Sequence, residues 1–324
     1  MLHRRRLLAS VSLLALAVLF SAGTSFAKAP FARGQAPGWY RMPLGDFEVT
    51  ALLDGTIALP METLLTNATP AKINAALAKA YLKPPFETSV NAYLINTGAK
   101  LILIDAGTGA LFGPTLGKLV ANLKASGYQP EQVDEIYITH MHSDHVGSLA
   151  ANGKPTFPNA VIRAAKAEGE QWLSQANLDK APEADKDGYK AVMASLNPYL
   201  SAGKYKPFEG KTELQPGIIA LPTPGHTNGH SIYVVESKGE KLVVWGDLMH
   251  VASVQFPEPG VTIKFDTDSK KAAVERKKAF AEAAKQGYFV GVAHIPFPGI
   301  GQLKAEGKGY RWVPVNYSNN NNNN

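Results

Sequence analysis

The chain has 324 residues, with 33 Lys and Arg against 27 Asp and Glu for a formal charge of +6, and it contains no cysteine. Disulfide staples and thiolate metal ligands are therefore excluded, and stability cannot come from disulfide cross-links. Arg4, Arg5 and Arg6 lie in a leading segment without acids, so its removal leaves +3; the remaining lysines and arginines are dispersed, and no nucleic acid partner is implied.

In chain order, Arg4-Arg5-Arg6, an apolar run from Leu7 to Phe20 and then Ser25-Phe26-Ala27 have the three parts of a secretory signal, expected over residues 1–27. The apolar run is about fourteen residues, short of the roughly twenty needed to cross a bilayer, so no stable membrane insertion is expected after its removal. The adjacent arginines permit a twin-arginine route, and the expected location is the periplasm. Residues 28–318 hold no linker rich in Pro, Gly or Ser and are expected to form one domain. Residues 319–324 are all asparagine and read as a disordered or appended tail.

Apolar runs predict strands over residues 47–53, 90–96, 100–105, 135–139, 161–163, 218–221, 231–236, 241–246 and 288–293. Helices are predicted over 71–80, 115–125, 166–174 and 269–285. In the last of these, Ala272, Val274, Ala279, Phe280 and Ala283 form the apolar stripe, Asp268 caps the start, and Gly287 ends it. Lys270, Lys271, Arg276, Lys277 and Lys278 read as its solvated face. The alternation of strands and helices predicts a layered α/β fold.

The chemistry concentrates after the strand at 135–139. Thr139-His140-Met141-His142-Ser143-Asp144-His145 sets three imidazoles and a carboxylate in one tight turn, a donor set suited to zinc and similar divalent ions. Such a turn can send His140 and His142 to one ion while Asp144 and His145 face a second. The remaining histidines of the expected mature chain fall near further strand ends: Thr223-Pro224-Gly225-His226-Thr227-Asn228-Gly229-His230, the stretch after Trp245-Gly246-Asp247, and Val292-Ala293-His294. Loops held at the ends of strands are where a rigid sheet presents functional groups. A Ser-His-Asp hydrolase is disfavoured, because there is no Gly-x-Ser-x-Gly elbow.

With the Asp105-Ala106-Gly107 turn included, these motifs resemble, in order, the five of the metallo-β-lactamase fold superfamily of binuclear metallohydrolases. The resemblance implies a four-layer αββα sandwich with the metal loops at one edge. It also implies a ligand set: His140, His142 and His226 for one metal, Asp144, His145 and His294 for the other, and Asp247 bridging both. Two divalent ions are expected, zinc by default, with iron, manganese and cobalt also compatible. His230 and Asp105 are expected outside the ligand set, orienting it by hydrogen bonds. In two-metal hydrolysis, water activated between the ions attacks a carbonyl or phosphorus centre. Asp144 is expected to orient that water or take its proton, and Asp247 to act with it.

A closer similarity is to methyl parathion hydrolases and dihydrocoumarin (aryl lactone) hydrolases. It runs from Gly38-Trp39-Tyr40-Arg41-Met42 through Leu111-Phe112-Gly113-Pro114 to Gly307-Lys308-Gly309-Tyr310-Arg311-Trp312. It implies a pocket walled by Phe112, Trp172 and Tyr189, which favours flat aryl substrates. It also implies a homodimer. His250, Ile263 and Phe265 are expected to line the same pocket and narrow it, with a hydrogen bond behind the metal ligands as the alternative role for His250. On that basis a small-molecule aryl lactone is the expected substrate, with organophosphate triesters secondary. The alternatives are a phosphotriesterase, an acyl-homoserine lactonase, and a metal-binding module without turnover.

Overall fold

The computed structural model describes residues 29–318. The expected signal and the asparagine tail lie outside the described residues. Chain contacts separate a short N-terminal unit ending at Ala36 from a body that begins at Pro37. Residues 29–36 carry no helix or strand.

The body is built on two large sheets. The first has six strands in the order Trp39–Leu44, Phe47–Leu59, Phe86–Asn96, Leu101–Ile104, Glu135–Tyr137 and Val161–Arg163. Neighbours are antiparallel up to Leu101–Ile104, and the last two strands add in parallel. The second has seven, in the order Thr212–Gln215, Ile218–Pro222, Ser231–Ser237, Glu240–Val244, Phe289–Gly291, Ile300–Glu306 and Gly309–Pro314. Here Glu240–Val244 and Phe289–Gly291 run parallel and the other neighbours antiparallel.

Side-chain alternation along a strand sets the layers. Ile102 and Ile104 point between the sheets, where they join Ile95, Tyr93, Val235 and Val244. Leu101 and Leu103 point the other way and pack beneath Leu119, Leu123, Val192 and Leu196 of the covering helices. The run reads as continuously apolar because both faces are buried. In the second sheet Leu242 and Val244 face inward, while Val243 packs against Ala279, Phe280 and Ala283 of the helix Ser269–Gln286. The order is helix, sheet, sheet, helix, as the sequence predicts. Each such fully buried aliphatic side chain contributes about 1.5–3 kcal/mol.

Several elements differ from expectation. The predicted helix at 115–125 begins only at Leu119. Before it, the buried Asp54 carboxylate accepts the amides of Thr108, Gly117 and Leu119 at 3.1, 3.0 and 3.1 Å, which holds Gly117 in a turn with φ +76°. A helix of 19 residues, Glu183–Ser201, has no counterpart in the sequence reading. Gly188, Pro198 and a charged first turn disguise it, yet Tyr189, Val192, Leu196 and Tyr199 form its buried stripe.

Arg276 corrects the predicted solvated face. Lys270, Lys271, Lys277 and Lys278 are exposed, whereas Arg276 is fully buried and Val274 is 49% exposed. The helical period explains both: Ala272, Arg276, Ala279, Phe280 and Ala283 share one face, and Val274 stands off it.

Candidate metal centre

The sequence-predicted ligands all come from loops that follow strands. His140 and His142 follow Glu135–Tyr137, and the short helix Ser143–Val146 carries Asp144 and His145. His226 lies between Ile218–Pro222 and Ser231–Ser237, Asp247 follows Glu240–Val244, and His294 follows Phe289–Gly291.

The fold brings all seven together. One donor atom each from His140, His142, His226 and Asp247 lie within 4.8 Å of one another, as do donors from Asp144, His145 and His294. Asp247 stands between the two groups. Its Oδ2 is 3.2 Å from His226 Nε2 and 3.7 Å from His140 Nε2. Its Oδ1 is 3.2 Å from His145 Nε2 and 3.1 Å from His294 Nε2. Asp144 Oδ2 lies 3.4 Å from His145 Nε2 and 3.3 Å from His294 Nε2.

The arrangement is poor protein packing unless cations are bound. Among the described residues His140 Nε2, His145 Nε2 and Asp247 Oδ1 are buried without a hydrogen-bond partner, and His226 Nε2 and His142 Nδ1 sit 3.0 Å apart. A buried polar atom left unsatisfied costs about 1–3 kcal/mol. Nitrogen and carboxylate donors converging in this way fit divalent ions of the zinc type. Burial and the neighbouring His226 hold His142 down to about 3, and burial with His145 holds His140 well below its usual range, so both present neutral imidazoles. Burial works against the Asp247 charge, but His294 and His145 outweigh it and keep the carboxyl well below the usual range.

Around these side chains lies a set of orienting groups. Asp105 Oδ2 is 2.9 Å from His145 Nδ1, while its oxygens also accept the Thr139 amide and hydroxyl at 2.8 and 2.9 Å. His230 Nδ1 is 2.8 Å from the Thr223 hydroxyl, and its Nε2 accepts the Asp247 amide at 3.1 Å. Burial pushes His230 down to about 3, which keeps it a neutral acceptor. His294 Nδ1 lies 3.0 Å from the Ser89 carbonyl.

Two orienting residues escaped the sequence reading. Asp266 Oδ1 is 2.9 Å from His226 Nδ1. Glu168, inside a helix and fully buried, accepts the amides of Met141 and Gly229 at 2.7 and 2.9 Å and the Thr227 hydroxyl. Neither had a sequence signal, since Asp266 is 40 positions from its partner and Glu168 reads as a solvent-facing helix residue.

A cavity of about 540 Å³ opens onto the centre, and Phe112, Trp172, Tyr189, His250 and Phe265 line it together with His142, Asp144, Asp247 and His294. The Trp172 ring stands edge-on to His142 at 5.3 Å and lies 4.7 Å from Tyr189. His250 is both wall and neighbour of the metal side chains, with Nε2 3.0 Å from Asp247 Oδ2. Together with Asp247 and His294 it forms a third group of close donors.

Ile263 corrects the predicted pocket. It is fully buried, pairs with Leu65 in a two-stranded ribbon, and packs with Met61, Ile73 and Leu77 beside the cavity rather than in it. Its place in that apolar cluster, paired to Leu65, keeps the side chain out of the cavity lining. An apolar floor that the sequence reading did not assign, including Ile57, Leu59 and Val90, completes the wall.

Comparison with known proteins agrees with this geometry. The family model of the metallo-beta-lactamase superfamily matches residues 85–284. An N-acyl homoserine lactonase of a Bacillus species is 26% identical over 240 residues, covering 68% of this chain and 86% of that protein. A Bacillus cereus N-acyl homoserine lactonase is 28% identical over 174 residues, and the match spans 54% of this chain and 61% of the relative's length. Among solved structures, the hydrolase AbOPH of the beta lactamase superfamily superposes with a TM-score of 0.84 at 38% identity, over 88% of this chain and 100% of that one. AidC, a dizinc quorum-quenching lactonase bound to its product, gives a TM-score of 0.81 at 27% identity, over 87% of this chain and 99% of that one.

Proposed function

This chain belongs to the metallo-beta-lactamase superfamily and is a metal-dependent hydrolase, and we propose that its reaction is the opening of lactones, with aryl lactones preferred. The observation that carries the proposal is the wall of Phe112, Trp172, Tyr189 and Phe265 around a cavity that opens onto Asp247 and His294. Aromatic walls favour flat neutral rings through buried area and ring packing. The lactonase relatives support ester hydrolysis at such a site.

His140, His142 and His226 would hold one divalent ion, Asp144, His145 and His294 the other, and Asp247 would reach both. When bound, such ions polarise an ester carbonyl and make water more acidic near neutral pH. The chain's own contribution is placement. Trp172 and Tyr189 seat the ring of the substrate. Asp144, whose Oδ2 faces His145 and His294, orients the attacking water and takes its proton. The new bond joins the water oxygen to the carbonyl carbon, the ring C–O bond breaks, and Asp144 returns the proton to the leaving oxygen. Zinc is the expected ion.

The relatives favour a second reading, hydrolysis of N-acyl homoserine lactones, in which the apolar floor of Ile57, Leu59 and Val90 would take an acyl chain. Organophosphate triesters are proposed as a secondary substrate. Export through the N-terminal signal to the periplasm and assembly as a homodimer belong to the same proposal; fractionation and light scattering test them.

The deciding experiment measures kcat/KM of the metal-loaded protein on dihydrocoumarin, N-hexanoyl homoserine lactone and methyl parathion, with a chelated control. Dihydrocoumarin is expected to lead, with chelation abolishing all turnover. Acyl lactone in first place would favour the second reading, and no lactone turnover at all would overturn both. Asp144→Ala should remove activity and leave the fold.

A further inference from the structure

Resting on the reading of the site as binuclear, we propose that Asp266 and Arg276 are a pair of positioning residues that set His226 and Asp247 in register for the same ion. Arg276 lies in mid-helix with no exposure. Its Nε donates to the carbonyl of Leu248, the residue directly after Asp247, and its Nη1 donates to the carbonyls of Val261 and Pro259 at 2.6 and 3.2 Å. Its Nη2 has no hydrogen-bond partner among the described residues and stands 3.9 Å from Asp266 Oδ2.

The Asp266 side chain is as buried as that of Arg276. Its Oδ1 lies 2.9 Å from His226 Nδ1 and its Oδ2 accepts the Ile263 amide at 3.2 Å. The backbone alongside is sewn to the His226 turn, since the amides of Thr267 and Asp268 donate to the carbonyls of His226 and Gly225 at 2.9 and 2.8 Å. A single guanidinium therefore spans the segment that starts at Asp247 and the segment that backs His226, and the two ligand atoms so governed, His226 Nε2 and Asp247 Oδ2, are 3.2 Å apart.

The chemistry of the pair explains why charge is retained there. A carboxylate on Nδ1 fixes the imidazole tautomer that leaves Nε2 free and makes that nitrogen a stronger donor. A planar fork can hold three carbonyls at once, which a lysine ammonium on a flexible stem cannot do with the same geometry. Within the group of His140, His142 and His226, the carboxylate stands behind His226, whereas His140 Nδ1 meets only the Thr139 hydroxyl. Asp266 should thus act on the ion held by His226 and not on the other, whose His145 is backed by Asp105, whereas Arg276 acts through Asp247, which faces both groups.

The test is titration of the metal-stripped full chain with Zn2+ and Co2+, comparing wild type, Asp266→Asn and Arg276→Lys. Wild type should take two ions. Asp266→Asn should bind one of them about 10- to 100-fold more weakly and the other unchanged. In the Co2+-loaded protein the shifted Nδ1–H signal of His226 should move or vanish while that of His145 stays. Arg276→Lys should weaken the His226 ion and, through Asp247, the other as well, and on the His226 ion the double variant should do no more than the stronger single one. If Arg276→Lys does not fold, Asp266→Asn carries the test alone. Two ions bound by Asp266→Asn as in wild type, or both weakened alike, would overturn the positioning role. Wild type binding fewer than two ions would remove the binuclear reading itself and the proposal with it, and that failure is seen before any variant is made.

Discussion

Glu168 lies against Gly229: its Oε1 accepts the Gly229 amide at 2.9 Å, and a Cβ added to Gly229 would stand 2.8 Å from the Glu168 nitrogen. The other carboxylate oxygen accepts the Met141 amide at 2.7 Å. One buried side chain thereby ties the His140–His142 loop to the turn that carries His226 and His230. Gly229 is required for space, because its φ is not in the left-handed region.

Gly229→Ala is therefore expected to push the two loops apart at a cost of about 1–3 kcal/mol. Glu168→Ala leaves two buried amides without acceptors and should cost about 2–5 kcal/mol. Denaturant unfolding of the metal-loaded variants reads both. Wild-type stability in Gly229→Ala would mean that the loops are not held by this contact.

Ile263 and Phe265 are two residues apart but belong to different parts of the molecule. Ile263 is fully buried beside Met61 and Leu77, whereas Phe265 is 41% exposed and faces the cavity. Ile263→Ala should lower stability by about 2–5 kcal/mol, as core truncations do, and leave the ratio of lactone to phosphotriester turnover nearly unchanged. Phe265→Ala should do the reverse, with stability within about 1 kcal/mol of wild type and the ratio shifted. Parallel melting curves and kcat/KM ratios separate the two; a selectivity change in Ile263→Ala without loss of stability would show that this side chain reaches the substrate after all.

The same pair illustrates what was legible in the sequence. Strand runs such as Leu101–Ile104 and the histidine spacing were readable because a residue's neighbours along the chain set its face or its loop. The seven side chains that converge at the centre all belong to such motifs. Ile263, Asp266, Glu168 and Arg276 escape such a reading because tertiary partners decide their roles: Ile263 is paired to Leu65 and packed beside Met61, and Arg276 is held by three carbonyls distant in sequence. The helix Glu183–Ser201 was lost for a local reason, since Gly188 and Pro198 outweigh its apolar stripe in any reading by propensity. Asp54 does leave a signal, a carboxylate before Gly55 that interrupts the apolar run of its strand.

Removing the ions should make the fold sensitive to alkali. Burial works to lower the His294 imidazolium, but Asp247 and Asp144 outweigh it and hold the proton up to about 10, against an ordinary 6.5. A proton bound more tightly by the folded chain stabilises it, fully below about 6.5 and with decreasing effect as pH climbs toward about 10. Ligation displaces that proton, so ion affinity should rise over the same interval. The chelated protein is expected to lose Tm steadily from pH 6.5 upward while the metal-loaded protein holds, the gap widening with pH. Calorimetry at matched ionic strength measures it, and a chelated Tm indifferent to pH in this window would contradict the assignment of the His294 proton.

Asp105 combines backbone and side-chain demands. Its φ is +61°, a conformation that aspartate and asparagine tolerate better than other residues with a Cβ, and its carboxylate meets His145 Nδ1 at 2.9 Å. Asp105→Asn keeps the backbone and an acceptor for the Thr139 amide, now at 2.8 Å, but removes the charge behind His145. It should weaken the ion held by Asp144, His145 and His294 by about 10- to 100-fold, and lower the stability of the metal-free chain only through the lost charge beside His145. Asp105→Ala adds about 1–2 kcal/mol of backbone strain and strips the acceptor from a buried amide, so it should lower that stability too. Metal titration beside metal-free unfolding tells the two effects apart. If Asn and Ala at 105 lowered metal-free stability equally, the charge on Asp105 would be serving the fold rather than the metal ligand it faces.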